Sequence, residues 1–304
     1  MSDLAARPHT PPVMPELPAI IDPPRKRNGI MGVALSHPGL AFGGATLLVL
    51  ILVGLLAPWL WTVEPSAISP TNRIKDPSPE AWFGTDMLGR DVYSRVIYGA
   101  RVSLIVGFSV AFIATTIGLA IGLVSGFIRW TDNIIMRFMD GLMSIPPILL
   151  AVSFVALSGG GMLNVIISVS IAEMPRVARL VRALTLSLRE QLFVDAAVTG
   201  GTPTPLIIIR HILPNTLAPI VIQATYICAS AMLAEAILSF IGAGTPPNIP
   251  SWGNIMAEAR ALWQLKPVMI AAPAVALSLT ILSVNLMGDG LRDLLDPRFA
   301  GKVN

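Results

Sequence analysis

The residues with the clearest chemical pattern lie in one polar segment, residues 189–214, between two long apolar stretches. Asp195-Ala196-Ala197 is followed after three residues by Gly201, and after nine more by His211-Ile212-Leu213-Pro214. A carboxylate, an imidazole and turn-forming residues in so short a segment favour a shaped surface that a soluble partner can bind. The segment therefore predicts a docking loop, and the alternative is an ordinary connecting loop.

Two kinds of chemical site are absent from the sequence. It contains no Gly-x4-Gly-Lys-Ser/Thr phosphate-binding loop, so the chain does not hydrolyse ATP by that means. It contains no His, Cys and Asp cluster with the spacing of metal ligands, and its single cysteine, Cys228, cannot form an intramolecular disulfide. A multi-pass membrane enzyme would need a catalytic constellation that we do not find. We therefore predict no catalytic residue, metal or cofactor in this chain.

Local signals predict how the docking loop is built. Gly200-Gly201 supplies a turn, because glycine adopts positive φ at little cost. Thr202-Pro203 is typical of a helix N-cap followed by proline at the first helical position, and Pro205 would fall at the third. Pro214 is expected to end the next helical stretch and to open a membrane span. The predicted order is helix, tight turn, short helix and membrane.

Composition indicates a membrane protein. Hydrophobic residues make up 54% of the 304 residues, charged residues only 13%, and the mean hydropathy is +0.71. Soluble domains carry about 25% charged residues, and a run of roughly 20 apolar residues spans a bilayer. Six such runs are predicted to span the membrane: 40–61, 102–128, 138–157, 162–184, 217–241 and 267–288. Prolines interrupt the third and the fourth.

The distribution of Lys and Arg predicts the orientation. With the N-terminus inside, fourteen of them fall in cytoplasmic segments and seven outside, which favours two cytoplasmic termini. The net charge of +3 then reflects topology and does not indicate a nucleic-acid partner. The first thirty residues are Pro-rich and have no apolar signal-peptide core before the first span, and we interpret them as a mostly disordered part of the cytoplasmic tail at 1–39.

Several segments together resemble one protein family. Residues 82–91, Trp-Phe-Gly-Thr-Asp-Met-Leu-Gly-Arg-Asp, are similar to the Phe-Gly-Thr-Asp-x-x-Gly-Arg-Asp signature of the dipeptide, oligopeptide and nickel permeases of ABC importers. Residues 234–242, Trp252-Gly253 and residues 285–293 resemble the ends of that family's fifth and sixth helices. The docking loop resembles its cytoplasmic coupling loop, Glu-Ala-Ala-x3-Gly-x9-Ile-x-Leu-Pro. The extra span before residue 82 is typical of its C-type subunit.

The resemblance implies an all-α integral membrane protein with six transmembrane helices and the type I ABC importer permease fold. The expected division is a cytoplasmic tail at 1–39, a first helix at 40–61, and an extracytoplasmic segment at 62–101 with an interfacial helix around 90–101. A five-helix core follows at 102–290 with the coupling loop at 189–214, and then a cytoplasmic tail at 291–304. The expected location is the bacterial inner membrane.

The resemblance also implies a function and a set of partners. The chain would be the translocation subunit of an ATP-driven importer of short peptides, with nickel complexes, glutathione or another small solute as alternatives. A second homologous permease, two ATPase subunits that bind ATP and Mg, an extracytoplasmic binding protein and membrane lipid would be its partners. An ATP-independent channel or secondary transporter is the rival from another class, but the few carboxylates in the spans make a poor ion relay.

The resemblance implies eight residues of the coupling loop: Asp195, Ala196, Ala197, Gly201, Thr202, Pro203, His211 and Pro214. Two departures from the family pattern occur. Asp195 stands where the family usually has Glu, one methylene longer, and residues 202–206 replace a more polar and aromatic run.

Three acidic residues and one glycine series in the spans leave alternatives open. Glu235 either lines the pathway or a gate, or makes a structural hydrogen bond to a neighbouring helix. Glu173 and Asp140 carry the same alternatives, with the structural one favoured. Gly118, Gly122 and Gly126 repeat every four residues, which lets helix backbones approach closely. Plain packing is favoured for them over a rocking interface.

Overall fold

A computed structural model describes residues 37–295, and within them the chain is helical without named strands. Residues 1–36 and 296–304 of the predicted tails lie outside the described residues, whereas residues 291–295 of the predicted C-terminal tail form the end of α10. The helices are α1 Pro38–Leu55, α2 Val92–Phe127, α3 Arg129–Met143, α4 Pro147–Ser158, α5 Met162–Arg189, α6 Leu192–Thr199, α7 Thr204–Ile207, α8 Leu213–Phe240, α9 Trp252–Ala259 and α10 Val268–Leu295.

The core lies where α2 packs against α5 and α8, and α10 packs against α1 and α8. Glycines explain how closely α2 and α5 approach. A Cβ built on Gly118, Gly122 or Gly126 would lie 2.5 to 2.6 Å from a Cβ of Val177, Val181 or Thr185 on α5. The four-residue spacing therefore matches a four-residue ladder on the facing helix, as the packing interpretation of the glycine series requires.

The number of apolar helices differs from the six predicted spans. Within residues 37–295, four helical stretches are long and apolar enough to cross a membrane: Pro38–Leu55, Val92–Phe127, Thr204–Phe240 and Val268–Leu295. The bent pair α3 and α4 makes a fifth if it is counted as one span. The predicted fourth span is present as α5, but Glu173 and several arginines make it too polar for that count. Large apolar side chains such as Phe112 and Val275 face outward, as lipid contact requires.

The predicted third span, 138–157, is wrong as a single straight helix. The chain bends by 90° between α3 and α4. Pro146-Pro147 lies at the break, where proline supplies no backbone N–H and disfavours helical geometry in the preceding residue. Pro147 instead opens α4. The amphipathic α3 is bound to α5 by ion pairs, with Asp132 against Arg182 at 2.5 Å and Asp140 against Arg179 at 2.6 Å.

The interfacial helix predicted around residues 90–101 is not a separate element. Residues 92–101 form the first turns of the 36-residue α2. The Asp91 side chain caps this helix by accepting a hydrogen bond from the Ser94 amide at 2.7 Å. No proline interrupts residues 92–127, so the helix continues from the loop into the core.

Candidate functional site

The turn between α6 and α7 has the geometry that its two glycines predict. Gly201 has φ of +77°, which confirms the expected positive φ. Its amide donates to the Val198 carbonyl at 3.0 Å, and the Thr202 amide donates to the Ala197 carbonyl at 3.1 Å. These two bonds form a Schellman motif, which satisfies the last carbonyls of α6. The turn thereby fixes the direction in which the chain leaves α6.

The predicted cap after this turn is displaced by one residue. Pro203 is the N-cap of α7, with φ of −66° and ψ of 143°, and no side-chain hydrogen bond caps the helix. Thr204 and Pro205 occupy the first two helical positions, and Thr202 belongs to the turn. Proline still costs little at these positions, because the first amides of a helix have no intrahelical partner.

The expectation that Pro214 ends a helix is wrong. The chain stays helical from Thr204 to Phe240, with one π-helical turn at Ile208–Ile212. Proline lacks an amide hydrogen and its ring crowds the carbonyl four residues earlier, here that of Arg210. A wider turn just before Pro214 relieves that crowding without breaking the helix. The loop is therefore joined directly to the membrane helix α8.

Buried apolar side chains hold this segment to the core while others project outward. Val194, Ile207 and Ile212 are each at most 2% exposed. On the outer side, Leu192 is 85% exposed and Ile209 is 61% exposed. Large exposed apolar side chains clustered on one segment are typical of a surface that a partner covers. We call residues Leu192–Thr199 with 200–212 the coupling segment.

The predicted coupling residues all lie on or next to this segment. Asp195 is exposed in the first turn of α6, where the helix dipole favours a carboxylate. Ala196 is exposed and Ala197 partly buried. His211 is partly buried, with its ring centroid 6.3 Å from that of Phe193. The aromatic contact thus places His211 beside the first turn of α6, which also carries Asp195.

A buried ion network at the opposite end of the bundle was not predicted from the sequence. Asp86 Oδ2 accepts from Arg90 Nε and Arg95 Nη1, both at 2.7 Å. Glu258 Oε2 on α9 accepts from Arg90 Nη2 and Arg95 Nη1, both at 2.5 Å. The network ties the signature loop of residues 82–91 to α9, and the Trp252 indole donates to the Val96 carbonyl at 3.0 Å beside it.

The electrostatics of Asp86 follow from these contacts. Burial raises the pKa of this carboxyl, but the Arg90 backbone amide and the guanidinium groups of Arg90 and Arg95 outweigh it, so the pKa lies below its usual range. Asp86 is therefore ionised at neutral pH. The network then holds two carboxylates against two guanidinium groups, which satisfies the rule that buried charges are paired.

Glu235 is fully buried at the junction of α8 and α9. Its Oε1 accepts from Ser239 Oγ at 2.7 Å, and the same Oγ lies 3.3 Å from Thr245 Oγ1. Asn254 Nδ2 donates to Thr245 Oγ1 at 2.9 Å and extends the network onto α9. These contacts favour the structural alternative for Glu235, and the pathway alternative stays a prediction. Glu235 Oε2 has no hydrogen-bond partner among the described side chains.

Comparisons with known proteins agree with this arrangement. Residues 114–301 match the family described as "Binding-protein-dependent transport system inner membrane component". The chain is 49% identical over 269 residues to the probable peptide ABC transporter permease protein y4tQ of Sinorhizobium fredii, covering 88% of this chain and 92% of that one. It is 42% identical over 256 residues to the glutathione transport system permease protein GsiD of Escherichia coli, covering 84% of each.

A solved structure has the same fold. The inward-facing MetNI methionine ABC transporter aligns with a TM-score of 0.56 at 20% identity, covering 66% of this chain and 96% of the matched chain. The family match covers the end of α2, the helices α3 to α10 and the coupling segment. The chain therefore belongs to the family of inner membrane components of binding-protein-dependent transport systems, the permease subunits of ABC transporters.

Proposed function

We propose that this chain is the translocation-pathway subunit of an ATP-driven importer of short peptides and that its coupling segment docks on an ATPase subunit. The main support for this proposal is the coupling segment itself. Apolar side chains project from it, while Val194, Ile207 and Ile212 anchor it in the core. Family membership implies an ATPase component and a substrate-binding component. We further propose two ATPase subunits that bind ATP and Mg, and a homologous second permease that completes a heterodimer.

The covalent path of the coupling segment supports a mechanical role. α5 enters it and α8 leaves it, and α8 continues from α7 with only the π-helical turn between them. A displacement of the docked segment would therefore move two core helices, and flexible linkers would absorb little of the movement. Closure of the ATPases would rock these helices and alternate access to a central pathway. The role in coupling that we assign to Asp195, Gly201 and His211 follows from this path.

Short peptides are the proposed substrate because several relatives carry that name. Besides y4tQ, a relative 42% identical over 249 residues is the dipeptide transport system permease protein DppC of Alkalihalophilus pseudofirmus, covering 82% of each chain. Glutathione, named for GsiD, is itself a modified tripeptide, so it belongs to the same chemical class. Nickel complexes are the alternative substrate, because the sequence also resembles nickel permeases.

Reconstitution of the whole transporter in proteoliposomes tests this function. The chain, its second permease, the ATPases and the binding protein of the same system would be supplied with labelled dipeptide, glutathione or Ni²⁺. ATP-dependent accumulation of the peptide is expected. Peptide uptake at the same rate without ATP would favour the channel or secondary transporter. ATP-dependent uptake of Ni²⁺ without uptake of peptide would show that nickel is the substrate.

We also propose that both termini are cytoplasmic in the bacterial inner membrane. In a Cys228→Ser background, cysteines introduced at Ser69 and Asn248 should react with a membrane-impermeant maleimide added to intact cells. A cysteine introduced at Thr202 should react only after the cells are opened. Labelling of the Thr202→Cys variant in intact cells would contradict this orientation.

A further inference from the structure

One cavity in the helical core combines opposite charges with an apolar wall. It has a volume of about 180 Å³ and lies between α4, α5 and α8. Two helices each contribute one face at the i, i+3, i+4, i+7 spacing that aligns side chains along a helix. From α5 these are Val169, Ala172, Glu173 and Arg176, and from α8 they are Ser230, Leu233, Ala234 and Ile237.

Glu173 is the polar centre of this cavity and is only 4% exposed. Its Oε1 accepts from Ser230 Oγ at 2.9 Å across the α5–α8 contact, and its Oε2 accepts from Arg176 Nη1 at 2.9 Å. A carboxylate offers about four acceptor positions, and a guanidinium five donors. These two hydrogen bonds therefore leave acceptor positions on Glu173, and Arg176 is exposed with further N–H groups.

The depth of the cavity agrees with a position in a transport pathway. Met162 and Phe240 lie at the same end of the bundle, where a Cβ on Gly160 would lie 3.6 Å from the Gly244 carbonyl. At 1.5 Å per residue, Glu173 is about 17 Å along α5 from Met162 and Ser230 about 15 Å along α8 from Phe240. Both depths are close to half of the roughly 30 Å hydrocarbon core. Transporter substrate sites lie near this midplane.

We propose that this cavity binds the amino terminus of a peptide in transit, with Glu173 accepting from the α-ammonium group and Ser230 assisting it. The proposal rests on the peptide-import function proposed above and assigns a binding position for that substrate within this chain. An ammonium group supplies three donors, and the remaining acceptor positions on Glu173 can take two of them. Arg176 lies one helical turn further along α5, where its N–H groups can bind a peptide carbonyl or carboxylate oxygen.

The size and walls of the cavity fit one peptide end. A cavity of about 150 Å³ holds a benzene-sized group, so this one suits the first residue and its ammonium. Ala151, Ala172 and Ala234 provide small apolar walls, which place few demands on the peptide side chain. A site of this kind recognises the charged terminus, which all unmodified peptides share. The buried charge is then explained by its ligand, as intramembrane ionisable groups usually are.

Direct occupancy can be measured in the complete transporter in a Cys228→Ser background. Leu233 lines the cavity and is 48% exposed, so the Leu233→Cys variant should react with a small methanethiosulfonate reagent. Alanyl-alanine is expected to slow this reaction about fivefold, whereas N-acetyl-alanyl-alanine should slow it by less than about twofold, as the loss of a charge-assisted hydrogen bond requires. Adding Glu173→Gln should abolish the difference. Equal protection by the two peptides would overturn the assignment.

Transport provides the second measurement. Glu173→Gln should lower maximal uptake of alanyl-alanine about tenfold and uptake of the acetylated peptide by less than about twofold. Glu80→Gln, which changes an exposed carboxylate outside the cavity, is the matched control and should leave both rates unchanged. Should Glu173→Gln fail to assemble, Ser230→Ala should give a smaller loss, about threefold, with the same selectivity.

The two proposals fail in distinguishable ways. If the unaltered transporter moves no peptide with ATP, the proposed function is wrong. If it imports peptides and Glu173→Gln slows both peptides equally or neither of them, peptide import stands and the ammonium site is wrong.

Discussion

Gly201 offers the sharpest test of the coupling segment. Its φ of +77° is the left-handed conformation, and a Cβ added there would meet no atom within 4 Å. Any effect of a small substitution must therefore come from the backbone. The left-handed region costs L-residues about 1 to 2 kcal/mol, with β-branched residues at the upper end.

These costs set the expected size of the effect. Gly201→Ala, at about 1 kcal/mol, can reduce the population of the native turn up to about fivefold, and Gly201→Val, at about 2 kcal/mol, up to about 30-fold. Gly201→Asn should be nearly neutral, because asparagine tolerates positive φ. Loss of this turn releases the Schellman bonds and redirects α7, so ATPase movement should no longer reach α8.

The assay is peptide uptake per ATP hydrolysed in proteoliposomes that contain the complete transporter. We expect this ratio to fall in the order Gly, Asn, Ala, Val while assembly and membrane insertion stay normal. Gly44→Ala is the matched control, because that glycine lies inside α1 and its added Cβ also meets no atom within 4 Å. Uptake per ATP at the unaltered level in Gly201→Val, or an Asn variant as impaired as Val, would refute the backbone argument.

Three further predictions concern packing, a buried carboxyl and the ion network around Asp86. Gly122→Leu should destabilise the protein by about 2 kcal/mol through overpacking against α5, which would appear as a lower Tm. Gly141→Ala is the control and should leave the Tm unchanged, because its added Cβ meets no atom within 4 Å. A Tm of Gly122→Leu equal to that of the unaltered protein would contradict the close packing. Glu235→Gln should retain near-normal peptide uptake, because the amide keeps an oxygen for Ser239, and a large loss with normal assembly would restore a pathway role. Asp86→Asn should cost about 3 kcal/mol at neutral pH, because it leaves buried guanidinium charge uncompensated. Since the folded pKa of Asp86 is depressed, its contribution is fully present above the unfolded pKa of about 3.9 and is lost as pH falls through the lower folded pKa. Unfolding of the unaltered protein and of Asp86→Asn across this pH range should therefore converge in acid, and a constant difference would contradict the linkage.

The sequence determined the features that depend on neighbouring residues. Apolar runs predicted the membrane helices, because a helix in lipid satisfies its own backbone hydrogen bonds. Gly201 predicted its positive φ, because glycine adopts it at little cost. The spacing of Gly118, Gly122 and Gly126 indicated a close helix contact, although not which helix makes it. The coupling segment was found because its pattern is contiguous and lies between two spans.

Tertiary structure decided everything that depends on distant partners or on the summed geometry of a helix. The 90° bend at Pro146-Pro147 and the π-helical turn before Pro214 follow from proline sterics. A kink and a break nevertheless look alike in sequence. The burial of Glu235 depends on how α8 rotates against α9. Glu258 lies 163 residues from Arg95, and Ser230 lies 57 from Glu173. No local pattern records such distant pairs, because the packing of whole helices brings them together.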